Sequence, residues 1–439
     1  MVTALGLRLP FFTQSLWLDE SIEALALMGR QGPLLSYALA DYQPPLYHFI
    51  GYAVTHILGF SEIALRLPSL IAGLVTVYFV MKIGTLVSGR KVSAIAGLLA
   101  ATNPLLIYYA QEGRTYAMTA CFVTISAYYF LQLLNSKSTR SYLLYTIFTA
   151  LFLWTSYLSW FLLLAQIIYV LRVKRYDLFK CQLVSATTWL LWFPSFLDSL
   201  SVGRYTLALS DAWGKVVGGL SWKSLPLTWV KFVIGRITFT NKMFYGGVVA
   251  AVALLHWRIL RKSNIQNNLI LLIWLIVPVI LGILTAAFLP VYSYFRVLFV
   301  LPAYLLLLAL GLGKLPKIYT TMLLALNLCF LSIFWFTPSL HREDWRSLSR
   351  DLHGDPTSQI AMPSHEQNPG LLYYGIDEKR IFEPASEPIV TDRVYYIRYA
   401  EDLFDANQLG PAHLRDSGYT IASQKVYTGI ALDIYEHSD

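Results

Sequence analysis

Three acidic residues lie at the edges of the apolar segments of this sequence, namely Asp19, Glu20 and Glu112. Asp19 and Glu20 lie immediately ahead of hundreds of mostly apolar residues, and Glu112 breaks into that region about ninety residues later. Carboxylates at a membrane boundary are costly and usually functional, and a carboxylate can take the proton from an attacking hydroxyl group. If the three acids fall on the same side of a membrane, they can build one site. The elements that position them therefore decide the prediction.

The composition is typical of a polytopic membrane protein, with 56% apolar and 14% charged residues. The 12 Trp and 29 Tyr suit the belts of aromatic residues at membrane interfaces. The net charge of +8 is carried largely by short loops, which indicates control of orientation and not the basic face of a nucleic-acid-binding protein. The three cysteines lie in apolar runs, so neither a disulfide framework nor a zinc site built on cysteine is predicted.

Ten apolar segments are long enough, or nearly so, to span a membrane. They run over residues 66–88, 91–110, 115–134, 141–157, 158–172, 179–198, 243–260, 268–289, 297–313 and 317–336. The loops that carry basic residues all fall on one side of these spans, at 88–91, 136–140, 172–180, 258–262 and 314–317. The positive-inside rule makes that side the cytoplasm. Glu112, Arg296, the loop over 199–242 and the tail after 338 then lie outside.

Two segments ahead of the first span are predicted to be helices on the outer leaflet. Residues 44–60 are short for a span and contain two prolines and two histidines, and residues 20–31 carry an apolar stripe along one face. This arrangement places Asp19 and Asp41 in the same compartment as Glu112. Residues 1–16 are too short to cross and lack the features of a secretory signal, so the first spanning helix is predicted to be truncated.

From residue 338 the sequence changes to a soluble pattern. A helix is predicted to open at Glu343, strands to run over 358–362, 394–399, 419–426 and 429–435, and a further helix over 401–416. The predicted fold class is thus a polytopic α-helical membrane protein of about ten spans. We place its transmembrane domain at 1–337 and a small extracytoplasmic α/β domain at 338–439.

Four short motifs follow one another in the first third of the chain. They read Ser-Leu-Trp-Leu-Asp-Glu at 15–20, Asp-Tyr-Gln-Pro-Pro-Leu-Tyr-His at 41–48, Ala-Leu-Arg-Leu-Pro-Ser at 64–69 and Tyr-Tyr-Ala-Gln-Glu-Gly-Arg-Thr-Tyr at 108–116. Their order resembles the GT-C membrane glycosyltransferases, in particular the glycosyltransferase family 39-like branch of protein O-mannosyltransferases and lipid A aminoarabinose transferases. Glu-Asp-Trp-Arg at 343–346 resembles a segment that follows the last helix in bacterial members.

The resemblance implies a multi-pass enzyme of the plasma membrane that works on the extracytoplasmic face. Its donor would be a sugar carried on a polyprenyl or dolichyl phosphate, and its acceptor a hydroxyl of a protein, lipid or polysaccharide, with inversion at the anomeric carbon. We expect membrane lipids as further partners and no nucleic acid. No cofactor is predicted, because no Asp-x-Asp signature near the acids supports a divalent cation.

The resemblance assigns catalytic roles to two acids. Asp19 matches the first-loop acid of the family and is predicted to be the general base. The alternative is that Asp19 or Ser21 only caps the helix at 20–31. Glu112 matches the second outer-loop acid, and its alternative is a surface pair with Arg114 worth ~0–1 kcal/mol.

The donor phosphate is predicted to meet an arginine. Arg296 stands at the outer mouth of a span after three aromatic residues, where a guanidinium can fork onto phosphate oxygens; the alternative is snorkelling to the lipid headgroups. Arg114 and Arg66 are weaker candidates. The residues predicted to line the substrate are Glu20, Asp41, Tyr42, His48 and Tyr116.

Two other classes of function stay open at this point. A transporter or flippase would place ionisable residues in the middle of spans, whereas here the acids gather at one surface. An inactive sensor with a ligand-binding tail is a third reading, against which the first acid pair argues.

A topology reporter tests the predicted map. A reporter fused after residue 340 should be active on the extracytoplasmic side, and one inserted in the basic loop at 136–140 should be active in the cytoplasm. A cytoplasmic signal from the first fusion would contradict the whole map.

Overall fold

The computed structural model describes residues 1–209, 221–263 and 268–437. They form two compact units. The first, here called the helical unit, comprises Met1–Phe12, Leu35–Leu58 and Arg66–Phe334. The second, the mixed unit, comprises Thr13–Leu34, Gly59–Leu65 and Trp335–Asp439. The segment that carries Asp19 and Glu20 therefore folds with the C-terminal residues, which no local pattern in the sequence indicated.

The helices up to residue 336 follow the apolar segments of the sequence. They are α1 (Val2–Gly6), α2 (Leu18–Leu27), α3 (Leu34–Ala40), α4 (Leu46–Leu58), α5 (Glu62–Thr102), α6 (Pro104–Ala110), α7 (Tyr116–Asn135), α8 (Thr139–Leu153), α9 (Trp160–Arg172), α10 (Tyr176–Thr188), α11 (Phe193–Leu209), α12 (Ser224–Ile234), α13 (Lys242–Leu260), α14 (Leu269–Thr285), α15 (Leu301–Leu312) and α16 (Lys317–Phe336). The predicted outer helices at 20–31 and 44–60 correspond to α2 and α4. The predicted loop at 199–242 contains the end of α11 and all of α12, and its residues 210–220 lie outside the described residues.

The helical unit is that of a multi-pass membrane protein. Four helices in the described ranges are long and apolar enough to cross a membrane, namely α5, α7, α13 and α16. Shorter apolar helices lie at Tyr157–Arg172, Ser224–Ile234, Leu269–Thr285 and Leu298–Leu312. The number of about ten spans stays a prediction.

Helix α5 consists of two helices that meet at a break. Ser88 (φ −154°, ψ 17°) and Gly89 (φ 82°, ψ −173°) are not helical, and a positive φ of this size favours glycine. Beyond the break the chain packs back closely, since a Cβ on Gly84 would lie 2.8 Å from the Cα of Ser93. The break falls in the predicted basic loop at 88–91, between the predicted spans 66–88 and 91–110.

A second break, at Asn103, separates α5 from α6. Helix α6 then leads into the turn that carries Glu112. Asn103 caps α6 by accepting hydrogen bonds from the main-chain N–H groups of Leu105 and Leu106 at 3.1 and 3.0 Å, and Pro104 starts the helix. The predicted span at 91–110 is therefore divided at Asn103.

The mixed unit is built on a five-stranded sheet. Its elements are α17 (Trp345–His353), β1 (Gln359–Ala361), α18 (Pro369–Tyr373), β2 (Ile381–Phe382), β3 (Arg393–Arg398), α19 (Glu401–Phe404), α20 (Leu409–Asp416), β4 (Tyr419–Tyr427) and β5 (Ile430–His437). The strand order is β2-β1-β3-β5-β4. Strand β1 is parallel to β2 and β3, whereas β5 is antiparallel to β3 and β4. The small α/β fold predicted for the tail is thus confirmed.

Alternation along β3 gives the sheet two buried faces. Tyr395 and Ile397 face one core, which contains the fully buried Trp345 of α17. Val394 and Tyr396 face the other, beside α20. The helix predicted over 401–416 is divided into α19 and α20, because the Asp405 carboxylate accepts from main-chain N–H groups at the start of α20.

Helix α2 packs on the C-terminal part of the mixed unit. Leu16, Ala24, Leu27 and Leu65 form one buried cluster, against which Tyr373 of α18 is partly buried. Apolar burial of this kind stabilises a short helix that would be marginal alone. The helix that carries the first acid pair is thus anchored by residues about 350 positions away in the chain.

Candidate active site

Helix α2 presents the first acid pair at its N-terminus. The helix begins at Leu18, and its N-cap is Trp17, which has no side-chain capping hydrogen bond. The alternative in which Asp19 or Ser21 caps the helix is therefore wrong, and Ser21 is fully buried inside it. Asp19 and Glu20 lie in the first turn, where the positive end of the helix dipole stabilises negative charge.

The neighbours of this pair in the mixed unit are charged or able to donate hydrogen bonds. Glu20 is fully buried, and its Oε2 lies 3.8 Å from the Nε of the buried Arg342. Tyr399 donates from its hydroxyl to Glu343 at 3.2 Å. Burial, Glu343 and the charge of Asp19 together raise the pKa of Tyr399. The half-buried Asp19 thus stands near the start of the Glu-Asp-Trp-Arg segment.

The turn after α6 presents the other predicted acid in the helical unit. Gln111 fixes the turn, because its Nε2 donates to the carbonyl oxygens of Arg8 and Pro10 at 2.8 and 2.6 Å. The main-chain N–H of Arg114 donates to the carbonyl of Glu112 at 2.8 Å. Glu112 is only 2% exposed, so the small energy of an exposed ion pair does not apply to it, and the alternative of a local pair with Arg114 stays open.

Arg236 faces this turn and was missed by the sequence analysis. Its Nη1 donates to the hydroxyl of Tyr108, and its guanidinium carbon lies 4.6 Å from the centre of the Tyr108 ring. Burial would lower the pKa of Arg236, but the neighbouring tyrosines, Tyr294 among them, and the charge of Glu112 raise it. Arg236 is exposed. It is a cation within electrostatic range of the buried Glu112.

The chain brings Arg236 to this place through the end of α12. Gly235 ends that helix with φ 80°, and a Cβ there would lie 2.8 Å from the Cβ of Pro104. Asn103 also donates from Nδ2 to the carbonyl of Phe232 at 2.8 Å. These contacts tie α12 to α6. Arg236 is a single arginine in a long predicted loop and belongs to no sequence motif. Its position is therefore visible only in the tertiary structure.

Asp41 and His48 form a second polar cluster in the helical unit. The Nε2 of His48 lies 3.0 Å from the Oδ2 of Asp41, and His48 is only 3% exposed. Burial would raise the pKa of Asp41, but His48, the charge of Arg114 and the N–H of Tyr42 lower it. The ring of Tyr42 is exposed. The charge of Arg114, in the turn that carries Glu112, therefore acts on the carboxylate of Asp41.

The segment before α15 contributes aromatic contacts to the same region. The Phe295 ring meets that of Tyr116 edge-on, with their centres 5.0 Å apart. The guanidinium carbon of Arg296 lies 6.0 Å from the Phe295 ring centre. Tyr294 lies close enough to Arg236 to raise the pKa of that arginine. Arg296 is thus next to residues that pack on the start of α7.

Arg66 has a different setting from the other predicted arginines. It is fully buried, and its Nη1 donates to the main-chain carbonyl of Phe12 at 2.9 Å. That bond indicates an anchor for the start of the chain. A contact between Arg66 and phosphate stays a prediction.

The predicted residues are divided between the two units. Asp19 and Glu20 belong to the mixed unit. The remaining predicted residues belong to the helical unit, namely Asp41, Tyr42, His48, Arg66, Glu112, Arg114, Tyr116 and Arg296. Within the described residues, no group of three His, Cys, Asp or Glu side chains is placed to hold a metal ion. The expectation of no cofactor stays a prediction.

The fold of this chain, with its apolar helices and its small α/β unit, is similar to that of solved structures. The structure of ArnT from Cupriavidus metallidurans bound to undecaprenyl phosphate matches with a TM-score of 0.60 at 11% identity, over 99% of this chain and 96% of that chain. The archaeal oligosaccharyltransferase AglB from Archaeoglobus fulgidus, in complex with an inhibitory peptide and a dolichol-phosphate, matches with a TM-score of 0.55 at 12% identity. That match covers 100% of this chain and 73% of the other. At these identities the likeness lies in the fold.

The sequence itself matches one family model. That family is described as dolichyl-phosphate-mannose-protein mannosyltransferase, and the match covers residues 42–199. The matched range includes His48 and the turn with Glu112 and begins directly after Asp41. None of the curated proteins matches the chain. The resemblance to the mannosyltransferase family is therefore confirmed over residues 42–199, and the likeness to ArnT and AglB is one of fold.

The Asp41–His48 pair should stabilise the helical unit. Asp41→Asn should lower the free energy of unfolding by about 1–3 kcal/mol, because the buried His48 loses a charged partner. The pKa of Asp41 is lowered from its usual 3.8, so this stabilisation is present above about 3.8 and is lost as the pH falls through the folded pKa. Thermal unfolding in detergent at pH 7 measures the effect. Equal melting temperatures for Asp41→Asn and for Asp198→Asn, at an exposed position, would contradict it.

Proposed function

We propose that this chain transfers a sugar from a polyprenyl- or dolichyl-phosphate donor to an acceptor hydroxyl on the extracytoplasmic face of the membrane. The observation that carries the proposal is the buried Glu112 at the end of an apolar helix in a GT-C fold, together with Arg236, whose guanidinium carbon lies 4.6 Å from the ring centre of Tyr108 in that helix. Two structures of similar fold hold undecaprenyl phosphate and a dolichol-phosphate. An acid and a cation at the end of apolar helices suit a substrate with a charged head and a prenyl chain.

The reaction is a single displacement with inversion. The acceptor oxygen forms a bond to the anomeric carbon as the bond from that carbon to the phosphate oxygen breaks, and the bonding electrons leave with the phosphate. The acceptor proton passes to a carboxylate. The lipid phosphate gains one negative charge, so catalysis requires a base on the acceptor side and a cation on the donor side.

Asp19 is the base in this proposal. It lies in the first turn of α2, at the positive end of the helix dipole. Asp19 is half-buried in the mixed unit, whereas its neighbour Glu20 is fully buried near Arg342. A carboxylate with accessible surface can receive a proton from a substrate, so Asp19 suits the role better than Glu20.

Arg236 and Arg296 are the proposed ligands of the donor phosphate. The hydrogen bond to Tyr108 and the ring face beneath it hold the guanidinium of Arg236 in one orientation. A preorganised guanidinium can receive a phosphate bidentately with little further loss of side-chain entropy. Glu112 orients either this cation or the sugar, and Asp41, Tyr42, His48 and Tyr116 line the substrate.

A transporter or flippase gains no support from the described helices. Helices α7, α14 and α16 contain no Asp or Glu, whereas a coupled transporter commonly places such residues within its spans. The sugar, the length of the prenyl chain and the acceptor are left to experiment. A panel of undecaprenyl- and dolichyl-phosphate sugars, with peptide, lipid and glycan acceptors, identifies them.

Asp19→Asn tests the base. The variant should lower turnover with the best donor of that panel by roughly 100- to 10,000-fold, because removal of a general base costs about that much. Donor binding and the amount of folded protein should stay unchanged. Asp416→Asn, at an exposed position of the same unit, serves as control. Turnover of Asp19→Asn equal to that of the control would remove Asp19 from the mechanism.

Arg236→Ala tests the donor site. Binding of undecaprenyl phosphate, measured by calorimetry in detergent, should weaken about 10- to 100-fold, because a charge-assisted contact worth about 1.5–3 kcal/mol is lost. Arg236→Lys should recover only part of the loss, and Arg296→Ala should weaken binding as well. The control is Arg140→Ala, an exposed arginine of a predicted cytoplasmic loop. An unchanged dissociation constant in Arg236→Ala would exclude this residue from the donor site.

A further inference from the structure

The short segment Thr13–Leu16, shortly before the acid pair, is held by three hydrogen bonds to C-terminal residues, each between a side chain and a main-chain group. The carbonyl of Thr13 accepts from Nη2 of Arg346 at 2.9 Å. The hydroxyl of Ser15 accepts from the main-chain N–H of Arg346 at 3.1 Å. The N–H of Leu16 donates to the hydroxyl of Tyr374 at 2.9 Å. Three of four consecutive residues are therefore fixed by two partners.

The two partners are themselves joined through one carboxylate. Glu62, the first residue of α5, accepts through its Oε1 from Nη2 of Arg346 at 2.6 Å and from the hydroxyl of Tyr374 at 2.9 Å. Tyr374 thus accepts from Leu16 and donates to Glu62, which uses both hydrogen-bonding directions of its hydroxyl. Burial raises the pKa of Tyr374 to about 12, so the hydroxyl keeps the proton that it donates.

This network leaves little freedom to the start of α2. Trp17 follows Leu16 directly, Leu18 begins the helix, and Asp19 is its second residue. The far end is tied to the same C-terminal segment, because Arg30 donates to the carbonyl of Leu372 at 3.2 Å. Because the residues before and after α2 are both held, the position of the Asp19 main chain follows from the packing of α2.

We propose that Arg346, Tyr374 and Glu62 are positioning residues for Asp19, and that the C-terminal part of the mixed unit sets the geometry of the catalytic base. The inference rests on the proposed function, in which Asp19 takes the acceptor proton. It assigns a task to the Glu-Asp-Trp-Arg segment and to the α/β fold behind it. None of the three side chains needs to touch the substrate.

The reason such a network would affect rate is geometric. A general base must stand within hydrogen-bonding distance of the hydroxyl that it deprotonates, and an error of about 1 Å can cost on the order of 100-fold in rate. Loosening the segment ahead of α2 should therefore lower kcat. The KM for the donor should stay unchanged, because the network makes no contact with the lipid phosphate in the proposed mechanism.

Matched variants separate positioning from general stability. Tyr374→Phe removes one oxygen from the network, and its control is Tyr427→Phe, whose hydroxyl donates to Asp351 at 2.6 Å elsewhere in the mixed unit. Glu62→Gln has its control in Glu436→Gln, which also loses an arginine contact of 2.6 Å, that with Arg393. All are made in the full chain and assayed with the donor and acceptor that the wild type uses.

Tyr374→Phe and Glu62→Gln should lower kcat by about 10- to 100-fold at unchanged donor KM, while both controls stay within about twofold of the wild type. Hydrogen exchange at the Leu16 amide should become faster in Tyr374→Phe only. Arg346→Lys should recover part of the kcat lost in Arg346→Ala, because it restores the charge opposite Glu62.

Two results would overturn the inference, and they differ. If Asp19→Asn abolishes turnover but Tyr374→Phe and Glu62→Gln match their controls in kcat and in exchange at Leu16, positioning by this network is wrong and the proposed base survives. If Asp19→Asn keeps wild-type turnover, the proposed base fails and the inference falls with it.

Discussion

Buried carboxylates require compensating charge or hydrogen bonds, and this requirement organises both units. An ionised carboxylate away from water costs several kcal/mol unless a partner offsets the loss of hydration. Glu20 has the buried Arg342 near it, and Asp41 has His48. Glu112 lies within the electrostatic reach of Arg236. Each of these acids therefore has a cation or a hydrogen-bonding partner within reach.

The same requirement explains why the mixed unit contains two N-terminal segments. Glu20 of α2 lies 3.8 Å from Arg342 of the C-terminal part, and Glu62 of the other segment accepts from Arg346 and Tyr374 of that part. Apolar contacts of Leu16 and Leu27 with their buried cluster hold the helix in that setting. The α/β fold is thus in direct contact with the helix that carries Asp19 and Glu20.

Local patterns predicted most of the elements but not their long-range partners. Apolar runs located α7, α13 and α16 within a few residues, and alternation located four of the five strands, whereas β2 with two residues is too short to leave a pattern. The order of the motifs pointed to Asp41, His48 and Glu112 before any contact was known. Spacing could not show that His48 pairs with Asp41 or that Arg236 contacts Tyr108, because these contacts depend on tertiary packing. The start of α2 illustrates the same limit. Asp19 and Ser21 both suit an N-cap by residue type, yet the helix begins at Leu18, directly after Trp17.

The central claim is that this chain holds a lipid phosphate. Mass spectrometry of the lipids that remain with the purified protein tests it most directly. The account predicts enrichment of polyprenyl phosphate, free or joined to a sugar, over the amount that a membrane protein of unrelated fold retains when it is purified from the same cells. Equal amounts of polyprenyl phosphate in the two preparations would contradict the account.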